Sequence, residues 1–326
     1  MSGASGLLAS TDPQLQAAIT GGLEQVEARL REVVTSSHPL LSEAAAHLVE
    51  AGGKRFRPLL TLLAAELGKG VNDDVVDAAV VVELTHLATL YHDDVMDEAD
   101  VRRGAQSANT RWTNTVAILT GDYLFARASD LTASLGTEAT HLQARTFARL
   151  VEGQISETAG PADGQDAVEH HLQVLADKTG SLISTSARLG GLMAGADPDV
   201  VERLAEYGEV IGLAFQLSDD LIDVLSDSAQ SGKTPGTDLR EGIATLPALL
   251  GRDDPALTAV LAGDLSGDEA LAHALLTLRA HPATAQARGT LRDYAGRART
   301  LAEGFPTGPA RDALEALTDY VLARTG

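Results

Sequence analysis

Two runs of aspartate carry the clearest chemistry in this sequence, Asp93-Asp94-x2-Asp97 and Asp219-Asp220-x2-Asp223, and each closes a long apolar stretch. On a helix the outer aspartates of each run, four residues apart, point off one face, and the middle one sits about 100° around. Like charges at that spacing cost a helix roughly 0.2–0.5 kcal/mol per pair. At a helix C-terminus the macrodipole favours cations, which adds to the penalty. No Lys or Arg is interspersed within either run. A divalent cation between the carboxylates reverses the balance, and hard oxygen ligands with room for water and phosphate suit Mg²⁺. One such run would read as a solvated acidic patch; two, each ending an apolar helix, point to metal.

The cations supply the other half. Of 25 basic residues only Lys54, Lys69, Lys178 and Lys233 are lysines. Lysine brings a compact point charge to phosphate, and arginine a planar fork. Gly52-Gly53-Lys54-Arg55-Phe56-Arg57-Pro58 places three cations in a glycine-started loop. Arg102-Arg103-Gly104 follows the first aspartate run, Lys178-Thr179 falls near a helix end, and Lys233 lies in Gly232-Lys233-Thr234-Pro235-Gly236. Carboxylate-held Mg²⁺ with separate Lys and Arg clamps suits a ligand with two phosphates. His86 joins the stripe 86, 90, 93, 97 of the first helix. Neither a GxxxxGK[ST] loop nor an EF-hand loop occurs.

The elements that must position these groups are helices. Leu15, Ile19, Leu23, Val26, Leu30 and Val33 form one stripe, and Ala310, Leu314, Leu317 and Val321 another. The run from Val75 to Asp97 is too long for a strand. Helical patterns also cover 117–135, 141–159, 168–193, 200–226 and 269–278. Breaks are short and none resembles an interdomain linker, so a single large all-α domain over residues 1–326 is expected. Aromatics at 3% also disfavour a β-rich fold. A net charge of −21 argues against nucleic acid and anionic membrane surfaces. The absence of Cys excludes disulfides, thiolate nucleophiles and Cys-ligated zinc. No signal segment and no long uncharged apolar stretch is visible, so a cytoplasmic protein without a membrane span is expected.

The stretches GGKRFRP (52–58), DDVMDEADVRRG (93–104), GDYLFARA (121–128), DKTGSL (177–182), AFQLSDDLID (214–223) and GTDLREG (236–242) resemble the trans-isoprenyl diphosphate synthases of the polyprenyl synthetase family. The resemblance implies mostly antiparallel helices around a deep central cavity, a homodimer, and Mg²⁺-dependent prenyl transfer. It implies that Asp93 and Asp97 hold two Mg²⁺ ions and that Asp219, with Asp223, holds a third. Asp94 and Asp220 would orient these ligands. Arg102, Lys178 and Lys233 would grip an allylic diphosphate, farnesyl or geranylgeranyl. Lys54, Arg57, His86 and Arg103 would hold isopentenyl diphosphate, while Thr179 and Gln216 turn oxygen dipoles to the developing cation. Carboxylates acting as metal ligands need no raised pKa values. His92, His170 and His171 are expected to be structural. Many family members have Lys where Ile243 stands, so weaker help is expected there.

In the family, bulky aromatics just before the first run floor the cavity at short products. Here Ala88 and Thr89 are small, and Thr85 and Val81 follow on successive turns. Nothing large blocks the first ~12 Å of that path, so a long product of about C30–C50 is expected, with a geranylgeranyl or other short-chain synthase as the alternative. Three readings from other directions fit less well. An HD-type metal phosphohydrolase would want paired His ligands, a non-catalytic synthase subunit should lose its aspartates, and a terpene cyclase should carry a mixed second metal site.

Overall fold

The computed structural model describes residues 12–225, 235–243 and 245–324. Their regular structure is helical apart from one antiparallel ladder, β1 (Val101–Arg102) against β2 (Ala105–Gln106), so the expected all-α class is observed. The chain forms two compact units. The first holds the described residues of Met1–Arg149, Leu182–Gly208 and Phe305–Leu314; the second holds those of Leu150–Ser181, Glu209–Gly304 and Glu315–Gly326.

In the first unit α1 (Pro13–Val33) starts where the Asp12 side chain accepts from the N–H groups of Gln14 and Leu15. Its predicted stripe is buried at Leu15, Ile19, Val26, Leu30 and Val33. Helices α2 (Pro39–Glu50) and α3 (Phe56–Ala65) follow. Helix α4 (Asp73–Met96), capped by Asn72 on Val75 N–H, packs against α3, α1 and α6 (Asn114–Ser134); a short α5 (Ala108–Arg111) leads into α6. From Val75 to Ala88 only Asp77 and His86 escape burial, so α4 has no polar face until its end. By length and composition alone α4 could cross a membrane, because Asp77 and Glu83 are the only charges between Val75 and His92. Of its most apolar window 72% is buried within the protein, as in a core helix.

Helix α7 (Thr137–Ala159) leads towards α8 (Ala167–Leu175). The single helix predicted over 168–193 is in fact three pieces: α8, a π-turn at Ala176–Gly180, and α9 (Ser181–Met193). Two glycines of the second unit admit the wider turn. A Cβ on Gly153 would fall 2.8 Å from Lys178 N, and one on Gly180 would fall 2.7 Å from Leu213 Cδ1. Helix α10 (Pro198–Leu225) carries the second aspartate run. The remaining helices are α11 (Thr237–Arg240), α12 (Leu246–Leu250), α13 (Pro255–Leu261), α14 (Asp268–Ala280), α15 (Pro282–Glu303) and α16 (Pro309–Ala323). Sequence periodicity missed α15 because its buried face is mostly alanine: Ala283, Ala287, Ala295, Ala298 and Ala302 around Leu291.

Close helix contacts make specific demands on side-chain size. In the first unit, a Cβ on Gly190 of α9 would lie 2.1 Å from Thr61 O and 3.0 Å from Ala64 Cβ of α3, and a backbone carbonyl cannot swing aside. Gly190→Ala should therefore cost roughly 1–3 kcal/mol of stability in urea unfolding. Gly296 in α15 has nothing within 4 Å of such a Cβ, and Gly296→Ala should gain up to about 1 kcal/mol in the same assay.

Candidate active site

Helix α4 delivers the first aspartate run at its C-terminus. Asp93 and Asp94 lie in its last turn. Asp97 is the next residue beyond it, still right-handed at φ −87°, ψ −2°, and bonded through its N–H to Asp93 O at 2.8 Å. The helical spacing of Asp93 and Asp97 thus carries through the helix end, and the Asp97 side chain is 57% exposed. Asp94 is wholly buried; its Oδ1 accepts from Arg102 Nε at 2.6 Å, while Oδ2 has no hydrogen-bond partner among the described residues. Burial pushes the Asp94 carboxyl upward in pKa against the opposing pull of Arg102. The expectation of unraised carboxylates therefore fails at this position. Arg102 Nη2 also lies 3.8 Å from Asp97 Oδ2. The tight β1–β2 turn, with Arg103 at φ 54° and Gly104 at φ 76°, folds the arginine pair back onto the helix end.

Arg55, Arg57, Arg102 and Arg103 lie near enough to act on the charge of His86, itself half-buried one turn after Glu83. Lys54 is exposed in the Gly52–Gly53 loop. Arg103 Nη1 donates to Gly52 O and, at 3.3 Å, to Leu48 O, and Nη2 approaches Glu83 Oε1 at 3.4 Å. Arg55 takes a different part from its neighbours: it donates to Glu27 at 2.5 Å, Glu83 at 2.7 Å and Val49 O at 3.0 Å, which makes it a scaffold residue. The Arg57 Nε is buried without a hydrogen-bond partner among the described residues. Desolvation, with Arg103 nearby and Glu83 opposing, pushes the Arg57 pKa down to about 10. Burial and the surrounding arginines hold His86 well below the usual imidazole range, so it is neutral at pH 7. A neutral imidazole among guanidiniums with an unpartnered N–H suits a polyanion.

In the second unit the π-turn presents Lys178 and Thr179. Lys178 Nζ donates to Glu157 Oε2 at 2.5 Å. Thr179 Oγ1 lies 3.5 Å from Gln216 Oε1, so these two predicted partners are brought together. Gln216 Nε2 in turn lies 3.5 Å from Asp220 Oδ1, and His171 Nε2 is 3.2 Å from Asp220 Oδ2. Asp220 is buried and contacts Gln216 and His171 rather than the aspartates it was expected to orient. Asp219 Oδ1 accepts from Arg324 Nη2, and the Arg324 guanidinium stacks on Phe215 at 4.5 Å. Both Asp223 oxygens accept backbone N–H groups, Thr237 at 3.1 Å and Asp238 at 3.2 Å, which ties α10 to the start of α11. Ile243 is exposed. Lys233 lies outside the described residues.

Two-carboxylate clusters fit the implied cation. Among the described residues no three His, Asp or Glu side chains form a ready-made cage. Mg²⁺ is commonly held by one or two carboxylates and completes its shell from water and substrate phosphate. Asp93 and Asp97 offer oxygen donors of that kind, and Asp219 does so once Arg324 lets go. Sequence reasoning missed Glu83, Glu27 and Arg324. An acid alone in an apolar run marks Glu83; no sequence signal marks Arg324.

Towards the N-terminus of α4, Ala88 is buried and Thr89 half-buried. His92 Nε2 lies 3.1 Å from Ile118 O and 3.4 Å from Asp122 Oδ1, which keeps it structural. Its ring meets Phe125 at 5.7 Å, and Phe125 meets Phe147 at 4.2 Å. Thr85 accepts from Gln143 Nε2 at 2.6 Å.

Residues 38–274 match the family model described as polyprenyl synthetase. The chain is 48% identical over 321 residues to a nonaprenyl diphosphate synthase of Mycobacterium tuberculosis, covering 97% of this chain and 96% of the relative. Its fold is similar to a geranylgeranyl pyrophosphate synthase of Corynebacterium glutamicum crystallised with calcium and isoprenyl diphosphate, with TM-score 0.87, 42% identity, and coverage of 97% and 98%. It is likewise similar to a decaprenyl diphosphate synthase of Rhodobacter capsulatus, with TM-score 0.86, 36% identity, and coverage of 96% and 99%.

The depressed His86 pKa has a measurable consequence. Below about pH 6.5 the unfolded chain takes up a proton that the native imidazole resists, so stability falls with acidity by up to about 1.4 kcal/mol per pH unit from this group. His86→Gln should lose less stability than the parent between pH 6.5 and 5, as read from paired denaturation curves.

Proposed function

The chain belongs to the polyprenyl synthetase family, and on that premise we propose that it is a prenyltransferase that extends an allylic diphosphate with isopentenyl diphosphate by head-to-tail 1′–4 addition. Its product in this reading is a long polyprenyl diphosphate, about C30–C50, a length supported by the small side chains of Ala88 and Thr89 just before the first aspartate run. The observation that carries the reading is Arg102 set between Asp94 and Asp97, a guanidinium fork beside metal-type carboxylates at one helix end.

Each residue has a task in this reaction. Lys178, Arg102 and Lys233 hold the allylic diphosphate, and the approach of a diphosphate oxygen competes with Glu157 for Lys178 and with Asp94 for Arg102. Lys54, Arg57, His86 and Arg103 hold isopentenyl diphosphate; the unpartnered Arg57 Nε supports this role. Three Mg²⁺ ions, held by Asp93 and Asp97 and by Asp219 with Asp223, would supply neutralisation of the departing diphosphate. Thr179 Oγ1 and Gln216 Oε1 turn lone pairs towards the allylic cation and stabilise it as it develops. The isopentenyl alkene attacks that cation, and diphosphate takes the proton. The chain acts as a homodimer in this reading; the exposed Ile118 and Leu119 on α6 are apolar surface of the kind a second copy covers.

The tilted Phe125–Phe147 pair beside His92 favours a second reading, in which these rings close the path and the product stops near C20. Incubation with Mg²⁺, farnesyl diphosphate and labelled isopentenyl diphosphate, followed by product sizing, decides between them. Extension to about C30 or beyond is expected, a C20 product would favour the second reading, and no extension from any allylic primer would sink both. Ala88→Phe should shorten the product in the same assay, and Asp93→Asn should lower kcat by about 100-fold or more with little change in melting temperature.

A further inference from the structure

Glu83 lies on α4 with its side chain only 2% exposed. Its Oε1 is shared by two guanidiniums, Arg55 Nη1 at 2.7 Å and Arg103 Nη2 at 3.4 Å, and its charge also favours Arg57. A carboxylate taken this far out of water is costly unless paired, and here it is the buried anion among three arginines. The backbone is bent to bring them in. Arg55 and Arg103 hold left-handed φ values of 48° and 54°, a conformation that non-glycine residues adopt rarely. Gly53 is open to the same end: a Cβ there would lie 3.0 Å from the Arg103 guanidinium carbon. Arg103 therefore has one terminal nitrogen on the carbonyls of Leu48 and Gly52 and the other drawn to Glu83. Glu27 holds Arg55 from the far side but has no contact of this kind with Arg103.

We infer that Glu83 is a positioning residue for isopentenyl diphosphate: its buried carboxylate sets the aim of Arg103 and, through Arg55, the shape of the loop that carries Lys54 and Arg57. The inference rests on the function proposed above. It separates the two diphosphate subsites, since among the described residues the ion pairs of Glu83 go to Arg55 and Arg103 and not to Arg102 or Lys178.

Glu83→Asp keeps the charge but shortens the arm by one bond, about 1.5 Å, so that Arg55 and Arg103 can no longer both be reached. Glu83→Gln keeps the shape and removes the charge. Both variants should raise the KM for isopentenyl diphosphate about tenfold or more, and leave the KM for farnesyl diphosphate and kcat within about threefold. Glu27→Gln should lower the melting temperature while leaving both KM values within about twofold. Equal rises in the two KM values, a Glu27→Gln variant that behaves like Glu83→Asp, or unfolding of both Glu83 variants in circular dichroism melts would make Glu83 plain scaffold and overturn the inference. A folded parent protein that extends no allylic primer would instead remove the proposed function, and this inference with it.

Discussion

Asp94 and Glu83 are carboxylates taken almost wholly out of water on one helix, and each is tolerable only because a guanidinium meets it. The price of removing one partner from such a pair is several kcal/mol, since a lone buried charge remains. That constraint reaches outward. It draws Arg102 and Arg103 back through a tight ladder onto the end of α4, forces two arginines into left-handed backbone, and requires glycine where the Arg103 guanidinium lies. The first unit thus sets its buried carboxylates against its own arginines, while Asp97 at the helix end and Lys54 in its loop stay exposed.

Much of this was legible in the residues. The stripes of α1 and α16 are buried as spaced, both aspartate runs end long helices, and Thr179 faces Gln216. These features follow from local geometry, which a periodic pattern states directly. The pairing of Asp94 with Arg102 and of Glu83 with two arginines was less visible, because it depends on how a turn and a loop fold back across a helix. A motif also cannot tell a paired arginine from an unpaired one: Arg55 and Arg57 stand two apart in GGKRFRP, yet Arg55 is braced by Glu27 and Glu83 while the Arg57 Nε has no hydrogen-bond partner among the described residues.

The second unit shows the same limit from another side. Asp219 and Asp223 repeat the spacing of Asp93 and Asp97, yet one is met by Arg324 and the other ties down the backbone at Thr237 and Asp238. Identical spacing does not give identical surroundings, since those come from residues far along the chain. Alanine-faced α15 escaped periodic reading for a simpler reason: its buried side chains are too small to stand out from a mixed surface.

The π-turn at Ala176–Gly180 carries one more residue per turn than the helices that flank it. Losing a single residue there would let ordinary helix close up, and would swing Thr179 by about 100° away from Gln216. The length of this stretch is therefore as constrained as its Lys178, Thr179 and Gly180, and an insertion or deletion between Leu175 and Ser181 should be tolerated no better than a change at those three residues.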